Sequence, residues 1–135
     1  MELTTALLCD HASVREGLLF VAGGGITRIR RTSYPSHLGI GLATVLELDP
    51  FEAHLDHHFQ LVIVGEDGEE VGRIEADIRV GTTDAVKPGE NVQVPLAVDL
   101  YETRLPSAGA FELRLYVDGE HRRTLQFWAE TSSGS

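Results

Sequence analysis

The chain has 135 residues and a formal net charge of −10 at pH 7, and its length is that of one domain. A hydrophobic fraction of 42% is enough for one folded core and excludes a disordered chain. The negative charge repels phosphate backbones and anionic lipid surfaces, so we expect neither nucleic acid nor a membrane as a partner.

The cysteine content and the first residues bear on location. Cys9 is the single cysteine, so no intrachain disulfide can form, which favours a reducing compartment. Residues 1–8 have no basic leader and too short an apolar run for a signal peptide. No segment approaches the roughly 20 apolar residues of a membrane helix. We therefore expect a cytoplasmic protein.

Two strands are predicted before residue 31, and the second of them is interrupted. Residues 3–9 are apolar on both faces, which is typical of a strand covered on both sides. Turn formers and charges in residues 10–17 separate it from a second strand that begins at Leu18. Residues 23–25 are three consecutive glycines, which predict a bulge or a bend before the alternation resumes at residues 26–30. A phosphate-binding loop is disfavoured because no Lys-Ser/Thr pair and no helix follow the glycines.

The middle of the chain repeats the alternation of apolar and polar residues that marks half-buried strands. The predicted strands are residues 38–48, 57–64, 74–80 and 92–100. Within the last of them Pro95 cannot donate a hydrogen bond to a neighbouring strand. This proline predicts an edge strand or a kink.

The clearest pattern lies near the end of the chain. Residues 109–117 alternate strictly, and one face consists of Phe111, Leu113, Leu115 and Val117. Asp118-Gly119 then supplies the positive φ angles of a tight turn, and residues 122–130 return as a second strand. We therefore predict a β-hairpin at the edge of a larger β structure.

About eight short strands with no long helix predict an all-β fold. We expect an antiparallel β-sandwich with Greek-key connections and an immunoglobulin-like arrangement. One domain is expected over residues 1–130, followed by a flexible tail at residues 131–135.

Several local features also resemble a known family. They are the opening Ala6-Leu7-Leu8-Cys9-Asp10, the Gly17-Leu18 strand entry, the Gly23-Gly24-Gly25-Ile26 break and the closing GAFELRLYVDGE. Together these features resemble a functionally uncharacterised family of small bacterial stand-alone β-sandwich domains, which implies no catalytic residue. Residues 106–117 also resemble the penultimate strand of immunoglobulin-like sandwiches, although Phe111 occupies the position of their tyrosine.

Candidate chemistry in the first third is weak. Asp10, His11 and Ser13 are the residue types of a nucleophilic triad, but residues this close together along the chain cannot bring three side chains together. Cys9 ends an apolar strand, so a buried inert thiol is expected. The arginines at positions 28, 30 and 31 either bind an anion or form a solvated face.

The best metal candidate begins at the histidine cluster of residues 54–58. If consecutive strands alternate in direction, the first, third, fifth and seventh connections share one end of the sandwich. That end then gathers carboxylates and imidazoles, the ligands of zinc and similar divalent ions. The expected metal ligands are His54, Asp56, His57 and Asp118. Other members of this end are Asp10, His11, Asp49, Glu52, Asp84, Glu120 and His121. The alternative is a solvated rim, and the parity argument fails if the three glycines reverse the chain instead of bending it.

Trp128 and Tyr116 fall on the polar face of the last hairpin and are the candidate interaction residues. They either form a contact platform or cover the sheet edge. We expect a non-enzymatic protein-interaction domain without a cofactor, whose partner is another protein or a second copy of the chain. The alternative is a small-ligand module that binds a metal ion at the acidic end or a carbohydrate on the Trp128–Tyr116 face.

Overall fold

The computed structural model describes residues 1–80 and 89–132. Its regular elements are β-strands and one short 3-10 helix, Glu52–His54, which confirms the all-β class. The strands are β1 (Glu2–Arg15), β2 (Leu18–Gly24), β3 (Arg28–Arg31), β4 (Ser36–His37), β5 (Gly41–Leu48), β6 (His57–Gly65), β7 (Glu70–Ile78), β8 (Val92–Asp99), β9 (Arg104–Leu105), β10 (Gly109–Val117) and β11 (Glu120–Thr131).

Two curled sheets, each a half-barrel, enclose a shared core. The first sheet has four strands in the order β2-β1-β5-β8, and the second has five in the order β3-β11-β10-β6-β7. β4 and β9 form a separate two-stranded ribbon. The described residues form eleven strands rather than the expected eight, because the short strands β3, β4 and β9 were not predicted as separate strands. The pairing of β3 with β11 is parallel, whereas the sequence predicted only antiparallel pairs. The immunoglobulin-like Greek-key arrangement stays a prediction.

The last hairpin is built as its alternation predicts. Phe111, Leu113, Leu115 and Val117 are all buried. Phe127 on β11 is fully buried as well, and its ring stacks on that of Phe111 with a centroid separation of 5.4 Å. Asp118 and Gly119 have φ angles of 52° and 81°, which confirms the predicted tight turn.

The triple glycine reverses the chain rather than bending it. Gly23 and Gly25 have φ angles of 64° and 92°, a conformation that glycine adopts without a steric penalty. The N–H groups of Gly25 and Ile26 both donate to the carbonyl of Leu8. The chain then leaves the first sheet and enters the second sheet as β3.

β1 is longer than the sequence predicts. It continues through residues 10–15, and the turn to β2 lies at Glu16-Gly17, where φ is 53° and 75°. β5 accompanies β1 only as far as the pair Cys9–Gly41. Beyond that point β1 has β2 as its strand partner. We call residues 10–24 the arm, because they form a two-stranded hairpin that extends past β5.

Two smaller expectations concern the edge of the first sheet and the last residues of the chain. β8, which contains Pro95, lies at the edge of the four-stranded sheet, as the proline predicts. Thr131, which was expected in the tail, belongs to β11, and the N–H of Ser132 donates to the carbonyl of Arg31. The other predicted tail residues, 133–135, lie outside the described residues.

Candidate functional site

The third and seventh connections meet at one end of the molecule, as strand parity predicts. His57 lies at the start of β6, and only 4% of its surface is exposed. Its Nδ1 is 2.6 Å from Oδ2 of Asp118, and its Nε2 is 2.7 Å from the carbonyl oxygen of Glu52. The imidazole therefore joins the 3-10 helix to the last hairpin.

This geometry fixes the protonation of His57. A carboxylate and a backbone carbonyl can only accept hydrogen bonds, so both ring nitrogens must carry a proton. Burial by itself lowers the pKa of His57, but the hydrogen bonds to Asp118 and to the Glu52 carbonyl, with the charges of both acids, raise it overall. Burial raises the pKa of Asp118, but the hydrogen bonds from His57 and from the N–H of His58 lower it overall.

The other predicted metal ligands are engaged elsewhere or lie apart. Asp56 accepts two hydrogen bonds from Arg79 at 3.0 and 3.1 Å, which lower its pKa. His54 is exposed at the end of the 3-10 helix. Within residues 1–80 and 89–132, no group of three or more His, Cys, Asp or Glu side chains is arranged to hold a metal ion. Asp84 lies outside the described residues. The geometry thus gives the predicted metal site no support.

Asp10 and His11 lie at the opposite end, contrary to the parity argument, because the triple glycine adds one reversal. They are consecutive in β1, so their side chains point to opposite faces and cannot act together as a triad. The Tyr101 hydroxyl donates to the Asp10 carbonyl at 2.6 Å and lies 3.1 Å from Nδ1 of His11. Cys9 is fully buried, and burial followed by the charge of Asp10 raises its pKa, as expected of an inert thiol.

The three arginines do not form a shared anion site. Arg28 and Arg30 both pair with Glu130. Arg31 instead donates to the backbone carbonyls of Arg30, His37 and Leu38. Arg31 is therefore a structural residue that fastens β3 to the segment preceding β5.

Replacing Arg31 with alanine is expected to lower the free energy of unfolding by about 2 kcal/mol, because carbonyl groups lose a charged donor. The matched control is Arg30→Ala, since the Arg30 side chain is 73% exposed and pairs only at the surface. Chemical denaturation of both variants measures the difference. Equal losses for the two variants would contradict the structural role of Arg31.

Trp128 and Tyr116 share the outer face of the second sheet but do not form one platform. Trp128 lies opposite Ala110, and Tyr116 follows six residues later on β10. At about 3.4 Å per residue, the two rings are roughly 20 Å apart along the sheet. The guanidinium of Arg28 lies 5.7 Å from the centre of the Trp128 ring. Beside Trp128 is an open cavity of about 210 Å³, whose polar lining includes Glu66, Glu112, Arg114 and Gln126.

The arm exposes large apolar side chains on both faces, a feature that the sequence analysis missed. The exposed fractions are 40% for Val14, 63% for Leu18, 43% for Phe20 and 41% for Val21. Phe20 and Val21 are neighbours in β2, so they point to opposite faces. The signal in the sequence is the uninterrupted apolar run of residues 18–22 between the charged Arg15-Glu16 pair and the glycines.

Comparisons with known proteins give a family but no activity. No curated protein and no solved structure matches the chain. Within the part of the chain that the structure describes, no helix has the length and apolar character needed to cross a membrane. A family model described as a family of unknown function, DUF6941, matches residues 4–130. The chain therefore belongs to the DUF6941 family.

Proposed function

We propose that this protein is a non-enzymatic protein-interaction domain and that its arm is the docking surface. The observation that carries the proposal is that the arm, which extends past the end of β5, exposes apolar side chains on both of its faces. Large apolar side chains that are exposed together on one hairpin of a folded domain favour a site for binding another protein. Burial of a large apolar side chain contributes about 1.5–3 kcal/mol when it is complete. Partly exposed side chains such as Leu18 and Phe20 can still contribute a part of that amount.

The arrangement of polar groups supports a binding role rather than a catalytic one. Both nitrogens of His57 are used in structural hydrogen bonds, so this imidazole is not free to accept a proton from a substrate. His11 lies beside Tyr101, and the carboxylate of Asp10 points to the other face of β1. The proposal places the domain in the cytoplasm, where its one free cysteine stays reduced.

A charge on the arm is expected to abolish binding. In Phe20→Glu, docking would lose the apolar ring and would have to bury a charged pair, because the guanidinium of Arg15 lies 4.6 Å from the centre of the Phe20 ring and would meet the new carboxylate. The control is Phe51→Glu, because Phe51 is 87% exposed and lies beside the 3-10 helix, apart from the arm. The wild type and both variants are immobilised, and the proteins that each of them retains are compared. The binding of soluble wild-type protein to each immobilised variant is measured in the same way.

The expected result is that Phe51→Glu retains the same partner as the wild type, while Phe20→Glu retains none. Circular dichroism of each variant verifies that the β-structure is intact. A folded Phe20→Glu variant that binds everything the wild type binds would overturn the role of the arm.

A further inference from the structure

We propose that the partner of the arm is a second copy of this chain, whose β2 pairs antiparallel with β2 of the first copy across a twofold axis. This inference rests on the proposed function and names its partner. The two four-stranded sheets would then become one continuous sheet across the dimer.

β2 differs from the other sheet edges in its lack of protection. Proteins protect an exposed edge strand with charged residues, prolines or bulges, which prevent pairing with another chain. β8 contains Pro95 and Asp99, and three of the four residues of β3 are arginines. β7 carries Glu70, Arg73, Glu75 and Asp77. Among these four edges of the two large sheets, β2 alone, with the sequence LLFVAGG, contains neither a charge nor a proline.

The sequence of β2 is complementary to itself. Because no residue of β2 is charged, antiparallel pairing with a second copy places no like charges opposite each other. When Phe20 lies opposite Phe20 of the second copy, Leu18 faces Ala22 and Leu19 faces Val21. Each arm then covers apolar side chains of the other arm, and the twofold axis closes the assembly as a dimer.

The low charge of the arm permits this contact between two acidic copies. Each chain has a net charge of −10, so most surfaces of two copies repel each other. The arm is an exception, because residues 10–24 carry only Asp10, Arg15 and Glu16, a net charge of −1. Pairing through β2 therefore brings together weakly charged parts of two acidic molecules.

Sedimentation velocity of the purified full chain tests the inference. The wild type and Phe51→Glu are expected to shift from one chain of 14.8 kDa to twice that mass as concentration rises from about 1 μM to about 1 mM. Phe20→Glu and Leu18→Glu are expected to weaken the dimer by about tenfold or more. Two variants are used so that a folding defect in one of them does not decide the result.

Cross-linking tests the register. In a Cys9→Ser background, Phe20→Cys is expected to form a disulfide-linked dimer on mild oxidation, because the twofold axis brings the two thiols together. Phe51→Cys in the same background is expected to stay monomeric. A wild type that stays monomeric over the whole concentration range overturns the inference. If Phe20→Glu nevertheless loses a different protein that the wild type retains, the proposed function stands and only the identity of the partner is wrong.

Discussion

Replacing Phe127 with alanine is expected to lower the free energy of unfolding by about 3–5 kcal/mol, the largest single-residue effect we predict. The side chain is fully buried, and its ring stacks on that of Phe111. The substitution leaves a cavity between the two half-barrels and also removes the aromatic contact. Chemical denaturation, with the slope of the transition compared as well as its midpoint, measures the loss.

Phe51→Ala is the matched control for this prediction. It removes the same ring from a position that is 87% exposed, so its free energy of unfolding is expected to stay close to that of the wild type. A loss at Phe127 no larger than the loss at Phe51 would show that the two sheets do not share the core described above.

Replacing His57 with alanine is expected to lower the free energy of unfolding by about 3 kcal/mol. Removal of one partner from a buried charged pair costs about 3–5 kcal/mol, and the lower end applies because the Asp118 side chain is 40% exposed. The substitution leaves the Glu52 carbonyl and the Asp118 carboxylate without their shared donor. Thermal unfolding is expected to show a midpoint roughly 10 °C lower.

The effect of His57 depends on pH. Its pKa is raised in the folded protein, so its contribution is complete below the ordinary value of 6.5 and is lost as pH rises through the folded pKa. The pKa of Asp118 is lowered, so the contribution of Asp118 is present above its ordinary value of 3.8 and is lost as pH falls through the folded pKa. The difference between the wild type and His57→Ala is therefore expected to be largest between about pH 4 and pH 6.5.

His58 provides the control for the pH measurement. It is the next residue of β6, and its ring contacts Asp77 and Glu75 on the exposed face of the sheet. His58→Ala is expected to change stability much less than His57→Ala at pH 6, since exposed ion pairs contribute little. A difference between the wild type and His57→Ala that grows as pH rises above 7 would contradict a protonated His57.

The last hairpin was predictable because the residues that determine its strands and its turn are neighbours in the sequence. Strict alternation defines the buried face of β10, and Asp118-Gly119 encodes the turn. The arm was not predictable in the same way. Residues 10–16 include polar residues typical of a connection, and the turn uses Glu16, which does not belong to the residues favoured at positive φ. Its strand conformation depends on pairing with the apolar run of β2.

The candidate site was predictable only in part. Strand parity brought Asp118 to the same end as His57, although 61 positions separate the two residues. The partner of each side chain could not be inferred, since it depends on which face of a strand turns inward. The position of Asp10 and His11 depended on whether three glycines bend the chain or reverse it, and glycine permits both conformations.

The parallel pairing of β3 with β11 sets an order on folding. It joins Arg28–Arg31 to residues 128–131, and no strand of the same sheet lies on the other side of β3. During synthesis on the ribosome, β3 therefore has no strand partner until residues 128–131 have been translated. Closure of so long a loop is entropically costly, and such distant pairings slow folding. The second half-barrel is consequently completed last, after the first four-stranded sheet has all of its strands.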